Sequence, residues 1–401
     1  MANVTQLKHL EHLEDEMLNY GVEGCKSIVS FLKELRKMLG CDNSTGYMQT
    51  KWDGLPSVIC GINPGTGNFF VGTKSVFNKV EPKIASTANG IEMHYGTGDL
   101  ADKLKLCLKY FKPLGIKGVV QGDFIAAKND IKLENVHGEK LYTFGNQAIT
   151  YGIPVDHPLG SKIKNAEITV VFHTHYTGDY VPEMLAKPGM NEKLKETKEV
   201  AMIDNDTPMH KIGLNHQEEL DFDKLVSSIE SNCKTSGEFL DELVKFSGNT
   251  GDAKWHVSSY VKQYFNSEIK QRRSITNVDK SFEDLYNFYY DKTKKMLEGF
   301  SKGETKKKKR ALVHKSQNYL RDNQDKWKSM LNLYKDIQDL KQMVIDKLDH
   351  LEKFRTFART ENGYKVTGPE GYVLHKDGDM VKLVNRLEFS YINFTLAKSW
   401  R

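Results

Sequence analysis

Lys51-Trp52-Asp53-Gly54 places an amine, a carboxylate and a glycine within four residues of one another. Those groups suit covalent capture of a phosphoryl group. The lysine supplies a nucleophile, Gly54 lets the backbone come close to a phosphate, and Asp53 can point back to the amine or to a sugar. A lysine amine titrates near ~10.4 and is a protonated non-nucleophile at neutral pH, so this chemistry requires neighbouring positive charge or desolvation to lower that value. Read alone, the same four residues also describe a hairpin with an Asp-Gly turn and an exposed lysine. Tyr47-Met48 before them and Val58 to Ile62 after them read as strands, so the tetrapeptide lies in a strand, turn, strand unit.

Five further segments carry residues of the same chemistry. They are Phe69-Phe70-Val71-Gly72-Thr73-Lys74-Ser75, Gly122-Asp123-Phe124, Ile168-Thr169-Val170-Val171-Phe172-His173, Glu370-Gly371-Tyr372-Val373 and Val381-Lys382-Leu383-Val384-Asn385. Taken singly, Glu370-Gly371 is a turn with a surface acid, Lys382 an exposed strand lysine and Phe172 a core residue. In this order the six segments resemble the ATP-dependent polynucleotide ligases of the covalent nucleotidyltransferase superfamily, bacteriophage RNA ligases in particular. The overall texture is also similar to an uncharacterised marine bacteriophage branch.

The resemblance implies an α+β fold: an antiparallel-sheet, ATP-grasp-like adenylation domain. It implies that Lys51 accepts AMP from ATP and that Asp53, Gly54, Lys74, Phe172 and Lys382 surround the nucleotide, with Phe172 stacking on the base. It further implies that Asp123, in place of the usual glutamate, and Glu370 hold Mg²⁺ or Mn²⁺, and that Lys382 assists catalysis. Thr73 and Lys74 are implied to meet the 5′-phosphate of a nucleic acid. The expected activity is joining of RNA 5′-phosphate and 3′-hydroxyl ends; a DNA nick ligase and a non-catalytic nucleic-acid binder are the alternatives. Two departures bear on this. Pro56 stands where DNA-sealing members usually carry arginine, which favours RNA, and Val384 replaces the second lysine of the last strand unless Lys376 or Arg386 supplies that contact.

The elements that must position these residues are legible from periodicity. Leu7, Leu10, Leu13 and Met17, then Ile28, Phe31, Leu32, Leu35 and Leu39, predict two amphipathic helices separated by Gly21. Short β-rich runs follow from Met48 to about Tyr180, interrupted by a helix over Leu100 to Phe111. From about Glu218 to Phe354 nearly everything has helical period, including Phe222 to Phe246, His256 to Gln271 and Phe282 to Phe300. Met330, Leu333, Ile337, Leu340, Val344, Leu348 and Leu351 form a seam on the longest helix, for packing within the chain or for self-association. After Gly363, Gly371 to Leu374 and Met380 to Val384 flank an Asp377-Gly378 turn and must pair with the earlier sheet. The expected domains are 1–40 (N-terminal helices), 41–215 with 360–401 (adenylation) and 216–359 (a helical insertion).

The 401 residues are 39% hydrophobic and 28% charged, an ordinary globular composition. The net charge of +5 is only mildly basic, but Lys306-Lys307-Lys308-Lys309-Arg310 is concentrated and Arg272-Arg273 follows Lys270. The first run reads as a nucleic-acid contact or as a solvated helix face. The resemblance would place an OB-fold after the adenylation domain in DNA ligases and capping enzymes; none is expected here, and substrate grip is expected from the helical region. Five cysteines without CxxC spacing predict reduced thiols, and the absence of a leader or a long apolar run predicts a cytoplasmic protein without a membrane partner. His173 and His175, two apart on a strand, are expected to face the same way, near His157 and Asp179 in sequence.

Overall fold

Runs rich in β-branched and aromatic residues become strands, and the stretches with 3.6-residue periodicity become helices. The computed structural model describes residues 11–40, 44–145, 149–246, 253–301, 303–351, 354–360 and 363–390. After a 3₁₀ turn at Leu13–Asp15, helix α1 runs Glu16–Leu39 and strands β1 (Tyr47–Lys51), β2 (Ser57–Ile62) and β3 (Phe69–Gly72) follow. Helices α2 (Ala88–Tyr95) and α3 (Asp99–Phe111) lead to β4 (Val119–Ala127), β5 (Lys132–Val136), β6 (Glu139–Gly145) and β7 (Thr150–Pro154). Next come α4 (Pro158–Asn165), β8 (Ile168–Thr177), β9 (Leu185–Pro188) and β10 (Val200–Met202). The long helices are α5 (His216–Phe246), α6 (Ala253–Lys270), α7 (Val278–Glu298), α8 (Gly303–Asp322) and α9 (Gln324–Asp349). Strands β11 (Arg355–Thr360), β12 (Gly363–Thr367), β13 (Gly371–Lys376) and β14 (Asp379–Leu383) come after them. The protein is therefore α+β.

Two compact units emerge. One gathers Tyr47–Pro208 and Leu351–Met380; the other gathers Glu11–Gly46, Met209–His350 and the described residues from Val381. In the first unit, one sheet has the order β10-β8-β4-β2-β3 with β9 beside β8, and a second has the order β12-β11-β7-β6-β5. A third sheet has the order β1-β13-β14, and the chain leaves this unit within β14. Apart from β8 with β10, the ladders within the two larger sheets and the one joining β1 to β13 are antiparallel. Asp377 at φ 50° and Gly378 at φ 85° form the turn between β13 and β14, and β13 pairs with β1 as the alternation requires. The large sheet is apolar on both faces. Val58, Cys60, Val120 and Phe172 pack against Leu104, Cys107 and Phe111 of α3, whereas Ile59, Phe70 and Val119 pack against Phe77, Val181 and Met184. Burial of side chains of this size contributes roughly 1.5–3 kcal/mol each.

In the second unit α1 and α5 lie side by side. The expected break falls at Gly21, whose φ of 57° and ψ of −127° kink α1 and part it into a short helical segment before the glycine and a longer helix after it, as the sequence predicts. Leu7 and Leu10 lie outside the described residues. A Cβ on Gly21 would sit 2.1 Å from Asp241 Oδ1, and that same oxygen accepts the Val22 N–H at 2.8 Å. Met330, Leu333, Ile337, Leu340, Val344 and Leu348 are all fully buried, so the seam of α9 is consumed by packing inside the chain, whereas Leu351 lies past the end of the helix and is half-buried. Beside it Lys341 Nζ lies 2.6 Å from Glu14 Oε1, and Arg386 Nη1 reaches Asp15 Oδ1 at 3.1 Å and the Tyr334 hydroxyl at 3.2 Å. Burial pushes the Glu14 carboxyl up, yet Lys341 and Arg386 outweigh it and hold Glu14 below the usual carboxylate range. Cys25, Cys60, Cys107 and Cys233 are free thiols, and Cys41 lies outside the described residues. Among the described residues no helix is long and apolar enough to cross a membrane.

Breaking a buried ion pair from one side leaves a charge unpaired, at a cost of about 3–5 kcal/mol. Arg386 still lies 3.6 Å from Glu14 Oε1 when Lys341 is gone, so Lys341→Met is expected to lower the urea unfolding free energy toward the lower end of that range, and Glu14→Leu added to it is expected to restore most of the stability. A single substitution costing less than about 1 kcal/mol would contradict this role for the pair.

Candidate active site

Strand β1 is held on both edges. One edge pairs with β13, placing Lys51 opposite Gly371 and hence next to Glu370. Along the other, the Thr50 N–H donates to Asn205 O at 2.7 Å, the Thr207 N–H donates to Met48 O at 2.9 Å, and Gln49 Nε2 donates to Asp206 Oδ1 at 3.1 Å. Beyond Lys51 the chain turns on Trp52, which is buried between Tyr151 at 4.6 Å and Phe354 at 4.3 Å between ring centroids. The Asp53 N–H donates to the Tyr151 hydroxyl at 2.6 Å. A Cβ on Gly54 would lie 2.8 Å from Phe124 O and from Asp123 Cβ, so glycine is what lets this turn press against β4. The turn then locks onto β4 through Leu55 N–H to Phe124 O at 2.9 Å and Phe124 N–H to Pro56 O at 3.0 Å.

This packing gathers Lys51, Asp53, Asp123 and Glu370. Lys51 Nζ donates to Glu370 Oε2, and the two side chains are 28% and 14% exposed. Burial opposes the ammonium, but Glu370, Asp53 and Asp123 outweigh it and hold Lys51 above its ordinary value. Burial likewise raises Glu370, with Asp53 and Asp123 adding to it against the pull of Lys51. The expectation of depressing positive charge around Lys51 is thus corrected: its near neighbours are carboxylates, and the resting group is an ammonium.

Not every expected residue joins this cluster. Phe172 is only 7% exposed and meets Phe111 edge-on at 5.3 Å within the helix-covered core. It pairs with Gly122, whereas Asp123 pairs with Val171, so Phe172 and Asp123 occupy opposite faces of the sheet. The base-stacking place expected of Phe172 is a core position. A register shift leaves His173 as an extra residue between Phe172 and Thr174, and His173 Nε2 lies 3.4 Å from Asp123 Oδ2. That bulge also breaks the alternation that was to put His173 and His175 side by side; His175 Nδ1 instead meets Gly189 O at 2.9 Å. Nearby, His375 is buried and stacks on Tyr47 at 4.3 Å, and burial together with His173 pushes it down to about 4.

Lys74 is exposed at the start of a 3₁₀ turn over Lys74–Phe77. The Thr73 hydroxyl is already engaged with Ser75 Oγ at 2.9 Å, and the Thr73 N–H donates to the Tyr95 hydroxyl at 3.1 Å. Lys382 lies on β14 in the second unit, its N–H donating to Glu11 O at 3.0 Å. Arg386, the reserve for the missing strand lysine, is committed to the buried network with Asp15, Tyr334 and Asn266. Sequence reasoning missed Tyr151 and Lys103. Lys103 Nζ stands 3.5 Å from Leu55 O and 5.6 Å from the Phe124 ring centroid, a cation beside the Gly54 turn with nothing but helical spacing to announce it.

Among the described residues no group of three or more His, Cys, Asp or Glu side chains is arranged to hold a metal. What fold and site define is an α+β protein with a half-buried lysine set among carboxylates. The chain belongs to DUF6267, a family of unknown function whose profile matches residues 3–398. Searches of curated proteins and of solved structures return no match.

With Glu370→Gln, burial faces a weaker opposing charge, and Lys51 is expected to react with an amine-acylating ester at pH 8 on the order of tenfold faster, a change of about one pKa unit. Tandem mass spectrometry of the Lys51 peptide reads the rate. An unchanged or slower rate would show that Glu370 does not hold the ammonium.

Proposed function

We propose that this protein is an ATP-dependent polynucleotide ligase that joins RNA 5′-phosphate and 3′-hydroxyl ends through a lysyl-AMP intermediate. The observation that carries the reading is the Lys51 to Glu370 pair, made by segments 319 residues apart and flanked by Asp53 and Asp123. A structural surface lysine has no need of three nearby carboxylates, one of them nearly buried. The order of the six segments along the chain supports the same reading.

In this mechanism Glu370 takes the proton of the Lys51 ammonium, and its raised proton affinity suits it to that role. The freed amine attacks the α-phosphorus of ATP: the Nζ–P bond forms, the P–O bond to the departing pyrophosphate breaks, and Lys51 carries AMP. Asp53, held through its N–H by Tyr151, would meet the nucleotide, and Gly54 keeps the turn that carries it pressed against β4. An RNA 5′-phosphate oxygen then attacks the phosphorus of lysyl-AMP, breaking the Nζ–P bond and freeing Lys51, and a 3′-hydroxyl attacks the activated 5′-phosphorus, releasing AMP as the new phosphodiester forms. Mg²⁺ or Mn²⁺ needs only one or two carboxylates when phosphate oxygens and water complete its shell, and Asp123 fits that requirement while Glu370 is left to take the proton. Bound there, the ion would supply positive charge against the phosphates and favour the neutral amine. Lys74 would meet phosphate oxygens as a point charge. Lys382 enters this reading through the resemblance alone.

Incubation with α-³²P-ATP and Mg²⁺ is expected to label the protein covalently. Lys51→Ala should remove the label, and Glu370→Ala should slow its appearance by about 10²–10⁴-fold, the range of a positioned proton acceptor. Absence of label on wild-type protein stripped of bound AMP would overturn the proposal and leave a non-catalytic binder.

A further inference from the structure

The 19-residue stretch 292–310 holds nine basic and two acidic side chains, seven more cations than anions. The whole chain carries +5, so all the rest of it is net −2. The positive charge of this protein is therefore not a general property of its surface. The excess of cations over anions is concentrated where α7 ends and α8 begins.

Helices α7 and α8 run antiparallel in a fixed register. Arg321 Nη2 donates to the Tyr286 hydroxyl at 2.6 Å, and Tyr289 meets Ser316. Following that register toward the connection sets Lys295 across from Arg310 and Lys292 across from Val313. Lys292, Lys294 and Lys295 are exposed on α7, and Lys307, Lys308 and Arg310 are exposed on α8. None of these, nor Lys306 or Lys309, forms an ion pair with a described carboxylate. Elsewhere in the same unit lysines are paired, as in Lys33 with Glu230, Lys328 with Asp279 and Lys347 with Glu218, each at 2.6 Å.

A solvated helix face alternates charges and gains from pairs three and four residues apart. This patch does the reverse. Lys306 repels Lys309 and Arg310, Lys307 repels Arg310, and all five lie in the first turns of α8, the end of a helix where cations are unfavourable. An arrangement that costs stability in the free protein is offset when an extended polyanion covers it.

We infer that the paired ends of α7 and α8 form a two-helix grip for the sugar-phosphate backbone of a single-stranded polynucleotide, with Lys292, Lys294 and Lys295 acting beside Lys306 to Arg310. The choice of a polynucleotide over another polyanion rests on the ligase reading. Contacts of this kind position a strand without reading its bases.

Fluorescence anisotropy with a labelled 30-nucleotide RNA, from 50 to 300 mM KCl, tests the grip on the full-length protein. Removing one cation that neutralises a phosphate should flatten the slope of log K against log salt by about 0.7, so Lys292→Ala, Lys294→Ala and Lys295→Ala together should flatten it by about 2. Alanine at 306–310 should flatten it further, and circular dichroism confirms that both variants fold. A slope unmoved by the α7 changes, or no binding of RNA by the wild type, would overturn the inference. Equal affinity for polyglutamate of matched length would overturn the assignment to a polynucleotide. ATP labelling of Lys51 without RNA is read separately: label without salt-dependent RNA binding removes the grip alone, and RNA binding without label removes the ligase chemistry alone.

Discussion

The bond between Lys51 and Glu370 is the constraint around which the first unit is arranged. Two strands far apart in sequence must pair in one register for it to exist, and that pairing sets Lys51 opposite Gly371. Shifting β13 by one residue would turn Glu370 to the other face and leave the ammonium partly buried without its hydrogen-bond acceptor. Trp52 and Gly54 serve the same end. The indole fixes the turn from below, and the missing Cβ of Gly54 lets Asp123 approach.

Electrostatics decide the resting state. A lysine taken out of water loses its proton more readily, but here carboxylates outweigh desolvation and keep the charge. In the proposed chemistry the site therefore stores its nucleophile in protonated form, with an acceptor already hydrogen-bonded to it. Arrival of positive charge among Asp53, Asp123 and Glu370 is what would release it. The second unit shows the other solution to a buried lysine: at Lys341 burial wins, and the group is held below its ordinary value despite Glu14.

Local pattern carried much of the fold. The alternation from Gly371 to Leu383, the Asp377-Gly378 turn and the periodicity of α3, α5, α6 and α7 are all readable because each depends on neighbours within a few residues. Gly21 was readable as a break, though not its partner Asp241. What failed depended on events that leave no local mark. A bulge after Phe172 sends His173, rather than a phenylalanine, toward Asp123, and strand alternation cannot foresee it. The apolar seam of α9 did not fail, since packing inside the chain was one of its two readings and is the one observed; periodicity alone could not choose between them. The charge around Lys51 was misjudged because Lys51, Asp123 and Glu370 come from three separate segments, and proximity between them is set by strand pairing, not by spacing.

Mapping the site of nucleotide attachment is the most direct test of the account. Protein incubated with ATP and Mg²⁺, digested at neutral to alkaline pH to spare a phosphoramide, and sequenced by tandem mass spectrometry should carry AMP on Nζ of Lys51. AMP found on another side chain, or on none, would contradict it.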